Sequence, residues 1–233
     1  MRFDVISIFP NVFSYMETTK IWTRGIEAGS IEFHAHDLRN FTTDAHKTVD
    51  DTPYGGGPGM LLKIEPLVKA LDSIPRLTKC KVLLTSPQGD LFTQEKGEAL
   101  AQLDQIILIC GRYEGVDERF IEHWVDELVS IGDYVLLGGE LPAMVMMEAI
   151  CRLLPGTVGD PESVRTDSIT SGRLKYPQYT RPADFQGHKV PDVLLSGNHE
   201  EIRIWREKKS DFKTLQKRPN LLQLPNPKKG TKD

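Results

Sequence analysis

Lys81-Val-Leu-Leu-Thr85 and Gln105-Ile-Ile-Leu-Ile-Cys110 are nearly unbroken apolar runs. A strand with one wet face alternates polar and apolar residues. Runs without alternation are expected where helices cover a parallel sheet on both faces. Working outward, Arg2–Ile8, Ile31–Asp37 and Glu127–Ile131 read as further strands. Helical patterns lie between them. Glu65–Ile74 carries Pro66 in its first turn, and Gln94–Leu103 follows Thr93, a good N-cap. Pro142 opens Ala143–Leu154, which Pro155 ends. That segment is apolar on most sides and reads as buried, against the rest of the chain or a partner subunit. The alternation predicts an α/β fold, doubly wound and with the usual unknotted connections.

At 233 residues the chain accommodates one large domain, or one domain and an appendage. The character changes at Pro155–Tyr176, rich in Gly, Pro, Ser, Thr and Asp, which reads as an interdomain linker or mobile loop. Beyond it, HEEIRIWREKKS (199–210) and SDFKTLQKRP (210–219) read as two short helices, the second capped by Ser210 and stopped by Pro219. The tail NPKKGTKD (226–233) is expected to be disordered.

The net charge of −4 hides an asymmetry. Residues 165–233 hold 15 Lys and Arg against 8 Asp and Glu, whereas residues 1–164 hold 14 against 25. A basic C-terminal module suited to phosphates and a solvated helical face are equally compatible with this. Asp4 and Pro10 interrupt the N-terminal apolar stretch, so it is not expected to be a signal peptide. No uncharged apolar run approaches the ~20 residues of a membrane span. Cys80, Cys110 and Cys151 lack C-x-x-C spacing, so reduced thiols in a cytoplasmic protein are expected.

Three glycine-bearing loops follow the apolar strands: Ser86–Gly89, Gly111–Gly115 and Ile131–Gly139. At the carboxyl ends of a parallel sheet, such loops surround the ligand crevice, and their glycines admit close backbone approach. Neither G-x-G-x-x-G nor G-x-x-x-x-G-K-[ST] is present, which disfavours a dinucleotide or triphosphate and suits a small ligand without phosphates. His34 and His36 share a strand face, but no third ligand has metal-site spacing.

TPYGGGPGM (52–60), GRYEGVDER (111–119), SIGDYVLLGGELPAM (130–144), YPQYTRP (176–182) and LLSGNH (194–199) resemble the signatures of the bacterial tRNA (guanine-N1)-methyltransferases, of the SPOUT class. The resemblance runs in order from Met1 to about Pro219. It implies a fold the periodicity does not suggest: a SPOUT-type parallel sheet with a deep C-terminal trefoil knot, plus a small, mostly helical C-terminal domain. Residues 1–160 would form the knotted cofactor-binding domain, 161–175 a linker carrying the catalytic aspartate, and 176–233 a tRNA-binding domain.

The implied activity is transfer of the methyl group of S-adenosylmethionine to N1 of the guanosine 3′ of the anticodon, which helps maintain the reading frame. By motif, the cofactor contacts fall on Ser86, Pro87, Gly111, Tyr113, Glu114, Ile131, Gly132, Asp133, Tyr134, Val135, Leu136, Gly138 and Gly139. Guanine N1 carries its proton at neutral pH, so the reaction needs a base and a cation at O6. The matching residues are Asp167 and Arg152. The family also implies a homodimer with sites shared between protomers, and magnesium, for which no protein-only cage is legible. ITSGRLKYP (169–177) departs from the family pattern, so contacts of Ser171 and Arg173 do not carry over. Two alternatives are a SPOUT methyltransferase acting elsewhere on RNA, such as a ribose 2′-hydroxyl, and a non-catalytic RNA-binding protein.

Overall fold

The computed structural model describes residues 1–222, so the expectation for the tail at 226–233 lies outside the described residues. Two compact units divide the chain, Met1–Gly159 and Asp160–Asp233.

In chain order the first unit contains β1 (Arg2–Ser7), α1 (Ser14–Thr18), α2 (Lys20–Glu27), β2 (Glu32–Asp37), β3 (Asp50–Asp51) and β4 (Leu61–Leu62). There follow α3 (Ile64–Asp72), β5 (Cys80–Leu91), α4 (Gln94–Leu100), β6 (Gln105–Cys110), β7 (Gly115–Val116), α5 (Glu118–Trp124), β8 (Glu127–Ser130) and α6 (Glu140–Cys151). Five strands make one sheet in the order β2-β1-β6-β5-β8. Every neighbouring pair is parallel, with Ile6 and Leu84 both opposite Ile109.

Successive side chains on a strand point to opposite faces, so an all-apolar strand feeds two cores. Phe3, Val5, Leu83, Ile106, Leu108 and Val129 pack against α2 and α6, with Trp22 among them. Ile6, Val82, Leu84, Ile107 and Ile109 pack on the other face with Leu67, Ala70 and Leu71 of α3 and Phe120 of α5. Both faces are buried under apolar side chains, which is why KVLLT and QIILIC lack alternation. Thr93 caps α4 by accepting from the Lys96 N–H.

The helix expected from Ala143 begins earlier, at Glu140, with Gly139 at its N-cap and Pro142 in its first turn. A proline within the first turn costs nothing, because its missing N–H has no intrahelical partner there. The expectation of burial on most sides also needs correction. Pro142, Ala143, Met146, Met147 and Ile150 are buried, but Leu141 is 57% and Val145 48% exposed, leaving one apolar stripe uncovered within this chain.

The second unit holds α7 (Pro161–Arg165), the hairpin of β9 (Asp184–Phe185) and β10 (His188–Lys189), and α8 (His199–Lys217). Where two short helices were expected, α8 is continuous. Asn198 accepts from the Glu200 and Glu201 N–H groups and is the true cap. Ser210 sits mid-helix, where its hydroxyl donates to the Leu174 carbonyl at 2.6 Å. A serine can bond a neighbouring segment as readily as it starts a helix, and Ser210 does the former.

Candidate functional site

Thr85 and Asp90 both pair with Val129, so residues 86–89 bulge from the ladder while β5 resumes beyond them. The expected loop is therefore a bulge, a device that bends a strand and aims its residues aside. A Cβ at Gly89 would collide with the Leu128 backbone, so the strand re-enters only because that residue is glycine.

Beyond β6, Tyr113 adopts φ of +60°, a left-handed conformation that non-glycine residues adopt mainly under constraint. Its neighbour Glu114 donates its N–H to the Met60 carbonyl at 3.0 Å, tying the turn to the glycine-rich loop. A Cβ on Gly59 would run into the Glu114 side chain, so the glycine-rich loop packs closely against this turn. The tie is the pairing of β4 with β7, strands two residues long, too short to show as periodicity.

Beyond β8 the chain crosses the end of β5 and returns beside β6. Gly139 N–H donates to Gly111 O at 2.8 Å, and Arg112 and Gly138 form an antiparallel bridge. A Cβ at Gly139 would overlap Thr85 Oγ1 and lie 2.8 Å from Cys110 Cα, so nothing larger fits the crossing. Glu140, 3% exposed, locks it. Its carboxylate accepts from Ser7 Oγ at 2.7 Å and from Arg112 Nε at 3.1 Å, and the Arg112 guanidinium lies 4.7 Å over the Phe9 ring. Burial foremost, and the Glu140 carboxylate next, push the Cys110 thiol well above its ordinary pKa, so it stays neutral and inert.

The three segments enclose a cleft of about 410 Å³ at the carboxyl ends of β5, β6 and β8. Every residue matched to the cofactor lines it except Asp133, which is exposed and lies outside the lining. Leu61 and Ile121 add to the lining, and sequence reasoning did not reach them; Gln88 and Glu118, also in the lining, lay within its loop 86–89 and string 111–119 without being singled out. Pro87, Ile131, Leu136 and Val129 supply apolar walls, and Glu114 a carboxylate. Arg112 is the cleft's basic side chain, and Glu140 already engages it. Such a site suits a planar, phosphate-free molecule with a positively charged end.

Arg152 lies outside this lining. It is half-buried at the C-cap of α6, its N–H donating to Glu148 O at 3.3 Å. Asp167 belongs to the second unit, just beyond α7, where Lys175 Nζ donates to its Oδ1 at 3.0 Å and Ser171 Oγ to its carbonyl at 3.1 Å. Arg173 pairs with Asp211. His36 is held by Asp4 at 2.9 Å and His34 by Glu32 at 2.7 Å. Among the described residues no three His, Cys, Asp or Glu side chains are grouped to hold a metal ion. No helix among the described residues is long and apolar enough to cross a membrane.

A parallel α/β sheet, with a glycine-lined cleft at its carboxyl end and the lining Arg112 engaged by Glu140, defines an α/β protein with a small-ligand site at the end of its sheet. The family model of tRNA (Guanine-1)-methyltransferase TrmD matches residues 1–224. The chain is 50% identical over 224 residues to the tRNA (guanine-N(1)-)-methyltransferase of Geobacter metallireducens, covering 96% of this chain and 91% of that protein. It is 52% identical over 223 residues to that of Dictyoglomus turgidum and 51% over 225 to that of Pseudomonas putida, each covering 96% of this chain and 90% of the relative. The chain belongs to the tRNA (guanine-N1)-methyltransferase family.

Proposed function

We propose that this enzyme transfers the methyl group of S-adenosylmethionine to N1 of the guanosine 3′ of the tRNA anticodon, a modification that supports reading-frame maintenance. The observation that carries the reading is the cleft. Two of its three segments, 111–115 and 131–139, belong to the motif strings of the family and meet residues 86–89 at one end of the sheet. S-adenosylmethionine, when bound, supplies an electrophilic methyl on a sulfonium. Backbone groups of Gly111, Ile131, Gly132, Tyr134, Leu136 and Gly138 would read the adenine edge, with Ser86, Pro87, Val135 and Gly139 closing around it. Glu114 would face the positive end, where a carboxylate is favourable. Asp133 keeps only a supporting place in its loop.

Asp167 takes the N1 proton, with Lys175 orienting its carboxylate, and Arg152 stabilises negative charge spreading onto O6. Residues 1–160 act as the cofactor domain, 161–175 as the linker with the base, and 176–233 as the tRNA-binding domain of a cytoplasmic enzyme. The return of residues 131–139 to the end of β6, with β5 lying between β6 and β8, supports a trefoil knot here, an exception to unknotted topology. The small, mostly helical character proposed for the second domain is supported by α8, its longest element among the described residues, beside the short hairpin of β9 and β10. A homodimer, with the base reaching the partner's cleft, is supported by exposed apolar groups on and beside α6. These are Leu141, Val145, Val135 at 83% and Leu137 at 90% exposure. Magnesium would act from a largely hydrated shell, and no step is assigned to it.

The test is methyl transfer from labelled S-adenosylmethionine to a tRNA transcript with guanosine 3′ of the anticodon, beside one with adenosine there. Label in the first alone, mapped to N1-methylguanosine, supports the reading. Label at a ribose 2′-hydroxyl or at another base rejects it.

A further inference from the structure

The second unit carries its own cavity, about 380 Å³, which the proposed chemistry leaves unused. Leu194 and Ile202, both half-buried, form its apolar base, and two aromatic residues, Tyr176 and Tyr179, belong to its wall. Tyr179 is 49% exposed, and Arg181 stands beside it. The guanidinium of Arg206 lies 4.9 Å over the Tyr176 ring. Arg206 thus projects from α8 onto the Tyr176 ring.

A guanidinium set against an aromatic ring, a half-exposed phenol ring and an apolar lining are what an unstacked nucleobase requires. Single-stranded RNA is bound by stacking on aromatic rings and arginine planes, with nearby cations for the backbone. The residues from 165 onward carry the excess of basic over acidic side chains. Neighbouring cations differ in their freedom to bind phosphate. Arg203 is held by Glu200 and Glu207, each at 2.7 Å, whereas Arg206 and Arg181 open onto the cavity.

We propose that the Tyr176–Arg206 cavity is a nucleotide subsite, taking an unstacked base of the tRNA other than the one methylated. It rests on the tRNA methyltransferase reading and adds a recognition element to it. The base stacks on the Arg206 plane and against Tyr179, and Arg181 meets the adjoining phosphate. The subsite thereby contributes to substrate choice without touching the reacting atoms.

The experiment uses the full chain, with Tyr179→Ala, Arg206→Gln and Arg206→Lys, all at exposed side chains. Steady-state methylation of the tRNA transcript and S-adenosylmethionine affinity are measured for each. Tyr179→Ala and Arg206→Gln should each raise KM for tRNA about tenfold, the loss of one stacked base, with kcat and cofactor affinity within twofold. Arg206→Lys keeps the charge but not the plane. It should match Arg206→Gln in KM while retaining the wild-type salt dependence of tRNA binding. A transcript series with 2-aminopurine at each unpaired position of the anticodon arm should show one position whose fluorescence changes on binding wild type and not Arg206→Gln. Unchanged KM in Tyr179→Ala and Arg206→Gln, with wild type active, overturns the subsite alone. A wild type that binds but does not methylate the transcript overturns the parent reading and this proposal with it. Full activity in Arg206→Lys reduces the cavity to a point of charge, which also refutes it.

Discussion

Truncating Glu140 to alanine tests how the cleft is held open. Its side chain is 4% exposed and that of Arg112 26%, with 3.1 Å between Oε2 and Nε. Removing one member of a fully buried pair costs about 3–5 kcal/mol, because the other is left uncompensated. Arg112 reaches water over a quarter of its surface, so about 2–3 kcal/mol is expected here, including the bond from Ser7. For a unit of this size Tm shifts about 2–4 °C per kcal/mol, giving a fall of about 5–10 °C. Glu140→Gln keeps the shape and one acceptor oxygen, which can take the Arg112 Nε–H while its NH2 turns to the Ser7 hydroxyl oxygen, so it should lose less than Glu140→Ala. The pair joins the two segments that cross at Gly111 and Gly139, so its loss also loosens the cleft. If the competent cleft is then present about a tenth of the time, S-adenosylmethionine binds about tenfold more weakly. Calorimetric unfolding and titration with the cofactor measure both effects, and a cycle with Arg112→Ala isolates the coupling. A Glu140→Ala protein with unchanged Tm and unchanged cofactor affinity would refute the reasoning.

Other consequences can be checked independently. Gly139→Ala places a methyl against Thr85 Oγ1 and the Cys110 backbone, so soluble protein should fall sharply. Adding Thr85→Ala should not rescue it, since the backbone clash remains; recovery by that second change would argue against the crossing as described. Burial works to raise the Asp4 pKa, but hydrogen bonds from His36, Arg2 and Gln105 outweigh it and hold the carboxyl well below the usual range. The folded value is thus below the unfolded one, so this stabilisation is complete above about pH 4 and fades as pH falls further. Asp4→Ala should cost about 3 kcal/mol near neutrality and flatten the acid limb of a Tm–pH curve, and an equally steep limb would count against the network. Arg203→Ala should leave tRNA affinity within twofold, because Glu200 and Glu207 already hold that guanidinium. Lys208→Ala with Lys209→Ala should instead weaken binding and lower the salt slope by about 1 for each phosphate no longer neutralised, as filter binding at several salt concentrations would show.

The sheet was legible because strands covered on both faces lose the polar–apolar alternation, and KVLLT and QIILIC, polar only at their ends, announce that directly. Helix starts were legible where a side chain does the capping, as Thr93 does, and were misread where it does not. Gly139 caps α6 without a side chain, and Ser210 looks like a cap while serving the Leu174 carbonyl. The cleft's glycines were visible as strings, but their reason was not. Gly139 and Gly89 are glycine because of backbone passing from distant segments, which no local pattern reveals. The Ser7–Glu140–Arg112 lock joins residues 133 positions apart, and the cavity at Tyr176 joins a turn to a helix. Both depend on tertiary approach, and the strings that contain them gave only an address.

Under the proposed mechanism, the cleft of one chain and the linker aspartate of another make one active site. Mixing two inactive variants tests it: Leu136→Asp, which places a charge in the apolar cleft, and Asp167→Ala, which removes the base. Each alone should bind tRNA and transfer almost no methyl. Combined after subunit exchange, they should regain a substantial part of wild-type transfer, because a mixed dimer holds one site with an intact cleft and an intact base. A mixture as inactive as its components, with exchange verified, would contradict the shared site. Wild-type rates in Asp167→Ala alone would contradict the base itself.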